Sequence, residues 1–250
     1  MKKLIALAGI ALTAVGCAGA FDREAMSVAL QEERKLFSDD DDVTKIDQLK
    51  PQLKLPFRLA VVPPIQVTNH YWHDPRGMME GERDEIMAWG EKLKKEGIVS
   101  EFTMIPNMLL ELGADRNRHS YIKAVRVAAA RLQADAVLFL RSVTDTDSYA
   151  NVLAFLDITI VGMFLIPGHQ REALTILEGM VIDNRNQYIY FAASVEGTGS
   201  ATAPLALFAK GDAVAESRRN ALRAFGDQLL RDGRRVIGAA PGVPYATPGK

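Results

Sequence analysis

A single cysteine in 250 residues, Cys17, means that no internal disulfide can hold this chain together. The fold has to rest on burial, and an apolar content of 48 % supplies enough side chains for one core. Where that cysteine sits is equally informative. Met1-Lys2-Lys3 opens the chain, Leu4–Val15 is nearly all apolar, and Gly16 precedes Cys17. A charged start, roughly a dozen apolar residues and a small residue at the end form a secretory signal, too short for a mature membrane-spanning helix. The expected cut follows Gly16, so residues 1–16 leave and Cys17 becomes the first residue.

The run Ala14-Val15-Gly16-Cys17 resembles a bacterial lipobox. That resemblance implies a diacylglycerol on the Cys17 thiol, a covalent lipid being the only cofactor expected. Each buried methylene adds about 0.8 kcal/mol of membrane affinity, so two or three acyl chains make the attachment nearly permanent. Ala18 stands where an inner-membrane retention signal carries Asp, which points to the outer membrane and a periplasmic domain. A plain cleaved signal followed by a free thiol is the alternative. With 30 basic and 31 acidic residues the chain has no basic excess, and nucleic acid is not an expected partner.

Residues 17–56 read as a lipidated tether with local helix. Glu24–Phe37 is charge-rich with a ragged apolar stripe at Met26, Leu30 and Phe37, and Asp39-Asp40-Asp41-Asp42 is an acidic run that favours solvated chain. A calcium loop is the sharper reading of those aspartates, but adjacent carboxylates lack its alternating spacing and turn glycine. Residues 57–237 read as an α/β domain. Phe57–Val62 is a buried strand stopped by Pro63-Pro64, Glu82–Glu96 is a helix ended by Gly97, and Phe102–Ile105 is a second strand. Ser120–Gln133 follows as a helix and Asp135–Leu140 as a third strand, a β-α-β-α-β unit with a mostly parallel sheet. An antiparallel meander is expected next, from Asn151–Ile166, Glu172–Ile182 and Tyr188–Val195. A closing helix, Ala213–Asp232, starts at an Asp212 cap and should bury Val214, Ala221, Leu222, Phe225 and Leu229. Residues 238–250, rich in Gly and Pro, read as a tail. The fold class is therefore α/β, a three-layer type of domain.

The Leu59–Pro64 strand, the Ala134–Leu140 strand and the Leu177–Phe191 hairpin together resemble a group of periplasmic α/β lipoprotein domains. The group includes the curli-secretion pore lipoprotein, the amino-terminal domain of TolB and the lipoproteins that activate peptidoglycan synthases. Its hairpin turn usually carries Thr-Gly or Ser-Gly, whereas this chain has Asn186-Gln187; Asn can supply the left-handed conformation such a turn needs. More narrowly, Asp157–Gly168 is similar to the rhombotarget lipoproteins. The resemblance implies a fold and a place in the envelope; a shared fold does not deliver an activity.

Among chemistry-bearing residues, His70, His73 and Asp74 form the sharpest cluster, beyond the first strand where ligands of open α/β sheets tend to sit. Two imidazoles and a carboxylate suit zinc with one position left for water. An exposed loop is the plainer reading, and Tyr71 and Trp72 beside them would equally suit a protein or glycan contact. Asp145 and Asp147 would suit metal ligands or an acid/base pair, and a polar loop between apolar strands is the plainer reading. Gly197-Thr198-Gly199-Ser200 lacks the third glycine and the strand–helix setting of a dinucleotide loop, and it is not a nucleophile elbow. His119 and His169 have no local partner of catalytic type. The run 151–166 has one continuous apolar face and a second interrupted only by Asp157 and Thr159, so it suits a covered central strand or, alternatively, an oligomeric pore strand.

The expected function is thus a non-enzymatic binding or accessory lipoprotein of the bacterial envelope, meeting the membrane through its lipid and meeting an envelope protein through its domain. An oligomeric secretion or export component related to the curli pore is one alternative, leaving the oligomeric state open. A metal-dependent hydrolase using His70, His73 and Asp74 is the other.

Overall fold

A computed structural model describes residues 21–32, 43–67, 78–79, 81–111, 121–150, 169–203 and 212–238. In chain order the helices are α1 (Arg23–Glu32), α2 (Val43–Asp47), α3 (Glu82–Lys95), α4 (Asn107–Glu111), α5 (Tyr121–Arg131) and α6 (Asp212–Gly238). The strands are β1 (Phe57–Val61), β2 (Ile65–Val67), β3 (Val99–Met104), β4 (Ala136–Ala150), β5 (His169–Asp183) and β6 (Ile189–Ala203). They form one mixed sheet in the order β3-β1-β4-β5-β6, with β2 also alongside β4. β1 pairs in parallel with β3 and β4, and the ladders β4–β5 and β5–β6 are antiparallel. The α/β unit and the meander are thus both present, with the closing helix after them.

Side chains alternate across the sheet and sort the core into layers. Leu59, Val61, Leu138, Leu140, Leu177 and Val181 point to the side covered by α3 and α6, where Ile86, Trp89, Leu93, Leu222, Phe225 and Leu229 meet them. Ala60, Val137, Phe139 and Ile182 point the other way, against Ile122, Val125, Ala128 and Ala129 of α5. β1 is apolar at Leu59–Val61 because both of its faces are covered. The α3 stop falls where expected. Gly97 takes φ 71°, its N–H donates to the Lys94 carbonyl at 3.0 Å, and the Ile98 N–H reaches the Leu93 carbonyl at 3.0 Å.

The structure corrects several sequence expectations. The third strand does not end at Leu140: β4 runs on to Ala150, so Asp145 and Asp147 lie in a strand and not in a loop. Asp disfavours strands locally, but β5 pairs with β4 over its whole length and β2 supports its other edge at Arg141–Val143. β4 is therefore both the last strand of the parallel unit and the first of the meander. The expected strand 151–166 lies outside the described residues. The turn from β5 into β6 puts its left-handed residue at Gln187, φ 64°, and not at Asn186. Val214 is only half-buried, and its neighbours Ala213 and Arg218 are buried in its place.

The expected tether is partly absorbed by the domain. Asp22 caps α1, its carboxylate accepting the Ala25 N–H at 2.8 Å. Met26 and Leu30 are then buried against Val143, Leu174 and Ile176 of the sheet. Burying side chains of that size contributes about 1.5–3 kcal/mol each, enough to dock a short helix. The outer end of the sheet thus has its own lid, on the face opposite α6.

Candidate functional site

The β5–β6 turn gathers polar side chains around Asp183, which is fully buried at the end of β5. Its Oδ1 accepts the Arg185 backbone N–H at 2.9 Å and the Arg185 Nε–H at 3.2 Å. Its Oδ2 accepts the Tyr190 hydroxyl at 3.2 Å. Tyr190 reaches it because of a bulge: Val181 pairs with Phe191 and Ile182 with Ile189, so Tyr190 is the extra residue of β6. A bulge lets two successive side chains share a side, and Tyr190 turns inward beside Phe191.

That hydroxyl holds down the chain entering β1. The backbone N–H groups of Gln52 and Leu53 both donate to the Tyr190 oxygen, at 2.6 and 2.9 Å. Arg185 donates to the Gln52 carbonyl at 3.2 Å, and the Asn186 amide donates to the Lys50 carbonyl at 2.8 Å. Burial pushes the Tyr190 phenol above its ordinary pKa, and the Asp183 charge adds to the rise. Residues 50–56 so form a strap tied at one end to the hairpin turn.

Beneath the strap lies an apolar cavity of about 80 Å³. Leu53 and Leu55 of the strap, Phe57, Ile98, Phe191 and Leu229 are among its walls, and Asp232 of α6 is the one carboxylate there among the described residues. A second ion pair braces the same turn from the other side of the sheet. Arg58 donates to Asp135 at 3.2 Å, and Asn184 N–H donates to the Asp135 carbonyl at 2.9 Å. Burial raises the Asp135 carboxyl, but hydrogen bonds from Arg58 and its charge outweigh that and leave it below the ordinary carboxylate value.

A different polar group sits under the start of α6. Arg218 donates to Glu82 at 2.8 Å, joining α6 to α3, with both residues sealed from solvent. Beside it, hydroxyls run from Thr144 to Thr175 at 2.9 Å and on to Ser217 at 2.8 Å. Space between Glu82, Arg218, Thr175 and Pro64 amounts to about 10 Å³, room for nothing larger than a water molecule. This is a tie between elements, not a binding cavity.

The sequence candidates fare unevenly. Gly16, Cys17, His70, Tyr71, Trp72, His73, Asp74 and His119 lie outside the described residues. Among the described residues, no three His, Cys, Asp or Glu side chains come together as metal ligands would. Asp145 and Asp147 lie two apart on β4, and the Asp145 carboxylate accepts the Thr146 N–H at 2.8 Å. Gly197 and Gly199 are packing positions: a Cβ on Gly197 would strike the Ala221 nitrogen and Ser217 oxygen of α6, and one on Gly199 the Ala213 oxygen. Sequence reading missed Tyr190, Glu82 and Arg218. For Arg218 a signal existed, a charge within the apolar stripe of Ala221, Leu222 and Phe225; for Tyr190 none did, because a bulge is invisible in alternation.

No protein-family model matches the chain, and no curated protein matches it. Among solved structures, it is similar to a PelC dodecamer from Paraburkholderia phytofirmans at 15 % identity, covering 70 % of this chain and 88 % of that one, TM-score 0.30. The LpoB C-terminal domain from Salmonella enterica is 14 % identical, covering 62 % of this chain and 90 % of that one, TM-score 0.32. The lipoprotein GNA1162 from Neisseria meningitidis is 12 % identical, covering 73 % of this chain and 99 % of that one, TM-score 0.33. Among the described residues no helix is long and apolar enough to cross a membrane.

Proposed function

We propose that this chain is an outer-membrane-anchored periplasmic lipoprotein that acts as a binding or accessory protein of the bacterial envelope, without catalysis of its own. One observation carries the reading: the only cysteine follows Gly16 at the end of the Leu4–Val15 apolar segment. A lone cysteine placed by chance at a signal cleavage position is improbable in a secreted chain. The domain supports a binding role, because its cavity is walled by Leu, Phe, Val and Ile side chains, with Tyr190 committed to the strap. Apolar cavities edged by few polar groups are where ligands and partner side chains dock.

Mass spectrometry of the chain extracted from bacterial membranes tests the anchor. Cys17 as an acylated amino terminus, and a Cys17→Ser variant left uncleaved and unlipidated, is the expected result. A mature chain beginning elsewhere, or a free thiol at Cys17, removes the proposal. Density separation of the two membranes then decides its location, with recovery in the inner membrane counting against the Ala18 argument. A photo-crosslinking side chain at Leu55, on the strap, should capture one envelope protein reproducibly; crosslinks spread without preference would leave the cavity without a binding role.

A further inference from the structure

β6 is the last strand of the sheet, and its outer edge has been blocked only in part. Backbone groups alternate sides along an antiparallel strand, so every second residue aims its N–H and C=O away from β5. Two such groups are taken by α6. The Ser200 N–H donates to the Glu216 carboxylate at 2.8 Å, and the Asn220 amide donates to the Thr198 carbonyl at 2.8 Å. The next outward residues along the strand are Glu196, Ser194 and Ala192. Among the described residues nothing covers their backbone groups, and the bulge at Tyr190 ends the run. Natural edges are usually guarded by Lys, Pro or an irregularity, and none interrupts 192–196.

The geometry points to a second copy of this chain as the occupant of that edge, paired antiparallel about a two-fold axis at Ser194. The open run is bounded by a side-chain cap on one side and a bulge on the other, and Ser194 is at its middle. A two-fold through Ser194 therefore matches open backbone to open backbone in both copies: Ser194 against Ser194, and Ala192 against Glu196 twice. Each facing pair exchanges an N–H and a C=O in both directions, which satisfies all of the outward groups from 192 to 196. The side chains permit it. Ala192 and Ser194 are small, and the two Glu196 carboxylates face alanines and not each other. Glu196 is also already neutralised within its own copy, its carboxylate accepting the Arg23 Nε–H at 3.2 Å. The α6 caps at Thr198 and Ser200 both lie beyond the paired segment 192–196. An isologous contact of this kind closes on itself and does not run on into a fibre. This inference concerns the domain alone and stands apart from the anchor at Cys17.

The test is light scattering on the full, processed chain in mild detergent across a concentration series. Expected is a shift towards twice the protein mass as concentration rises, weakened about tenfold or more by Ser194→Pro, since proline removes an outward donor and is a recognised edge block. The Ser194 N–H faces away from β5, so this change leaves the β5–β6 ladder intact. Ser194→Lys, which sets two cations face to face at the axis, should weaken association similarly and decides the matter if the proline variant loses its circular dichroism. A wild-type chain that stays monomeric overturns the proposal and leaves the edge to a strand of another protein. Association that persists in both variants overturns it as well, by placing the contact elsewhere.

Discussion

Glu82–Arg218 and Asp183–Arg185 are the same pair of charge types in opposite settings. In the first both side chains are nearly sealed, with 2 % and 5 % exposed, and they tie α3 to α6. In the second the carboxylate is fully buried while the arginine is 54 % exposed, and they tie the β5–β6 turn to the strap. Opening the first would strand a charge in the core. Opening the second returns an already half-hydrated guanidinium to water and leaves the Asp183 carboxylate still accepting the Arg185 backbone N–H and the Tyr190 hydroxyl. Removing one partner should therefore destabilise the whole fold in the first case and loosen only the strap in the second.

Breaking the sealed pair should give the largest effect. Arg218→Met leaves the buried Glu82 carboxylate without its charged partner and is expected to cost about 3–5 kcal/mol in urea unfolding. Adding Glu82→Leu should recover most of that loss, because an apolar pair needs no compensation; a single variant within experimental error of the parent would disprove the sealing. Next in size, Gly197→Ala pushes a Cβ into the α6 backbone and should cost about 1–3 kcal/mol. The same helix would then ride higher over Thr175, drawing Ser217 away from it, which near-ultraviolet circular dichroism around Phe225 and Trp89 can follow.

On the strap side the expected effects are smaller and local. Tyr190→Phe removes the acceptor of the Gln52 and Leu53 N–H groups and should cost about 1–2 kcal/mol. Hydrogen exchange distinguishes this from a global change: the amides of Gln52 and Leu53 should exchange faster while those of α6 keep their protection. Equal acceleration everywhere would mean that the strap is not a separate unit. Alkaline titration makes the same point without a mutation. The Tyr190 pKa is raised in the fold, so its contribution is fully present below about pH 10, the unfolded value, and is lost as pH rises through the folded one. The strap should therefore loosen at high pH ahead of the helices.

Acid should have the least effect. Asp135 is lowered in the fold, so the Arg58–Asp135 contribution is complete above about pH 4 and fades as pH falls through the folded value. Both side chains are about a third exposed, 38 % and 32 %, so solvent screening keeps the contribution of the pair small. Asp135→Asn should remove this small part of the acid sensitivity and leave the unfolding midpoint at neutral pH nearly unchanged.

Much of the domain was legible in its residues. Helix α3 was readable from Ile86, Trp89 and Leu93 at helical spacing with Gly97 at the stop, because a helix is set by contacts four residues away. Strand β4 was legible only over its apolar start. Its polar continuation through Asp145 and Asp147 depends on β5, where Asp145 faces Leu174 and Asp147 faces Glu172, both far along the chain. The glycines of β6 were visible as unusual residues, yet their purpose was not, since the helix that needs the space begins at Asp212. The candidate site was the least legible part. Its strap, bulge and turn come from three separate stretches, and only their meeting gives Tyr190 and Asp183 a role.

The amino-acid sequence by itself determined the kind of chain this is: one cysteine behind an apolar amino-terminal run, no disulfide framework, and apolar runs with strand and helix periods that call for an α/β core. Those are properties of neighbours along the chain. Tertiary structure alone decided that α1 packs down where a tether was expected, that a bulge aims Tyr190 at the strap, and that α6 caps part of the β6 edge and leaves 192–196 open. Each of these is a contact between residues far apart in sequence, and local preferences set no such distance.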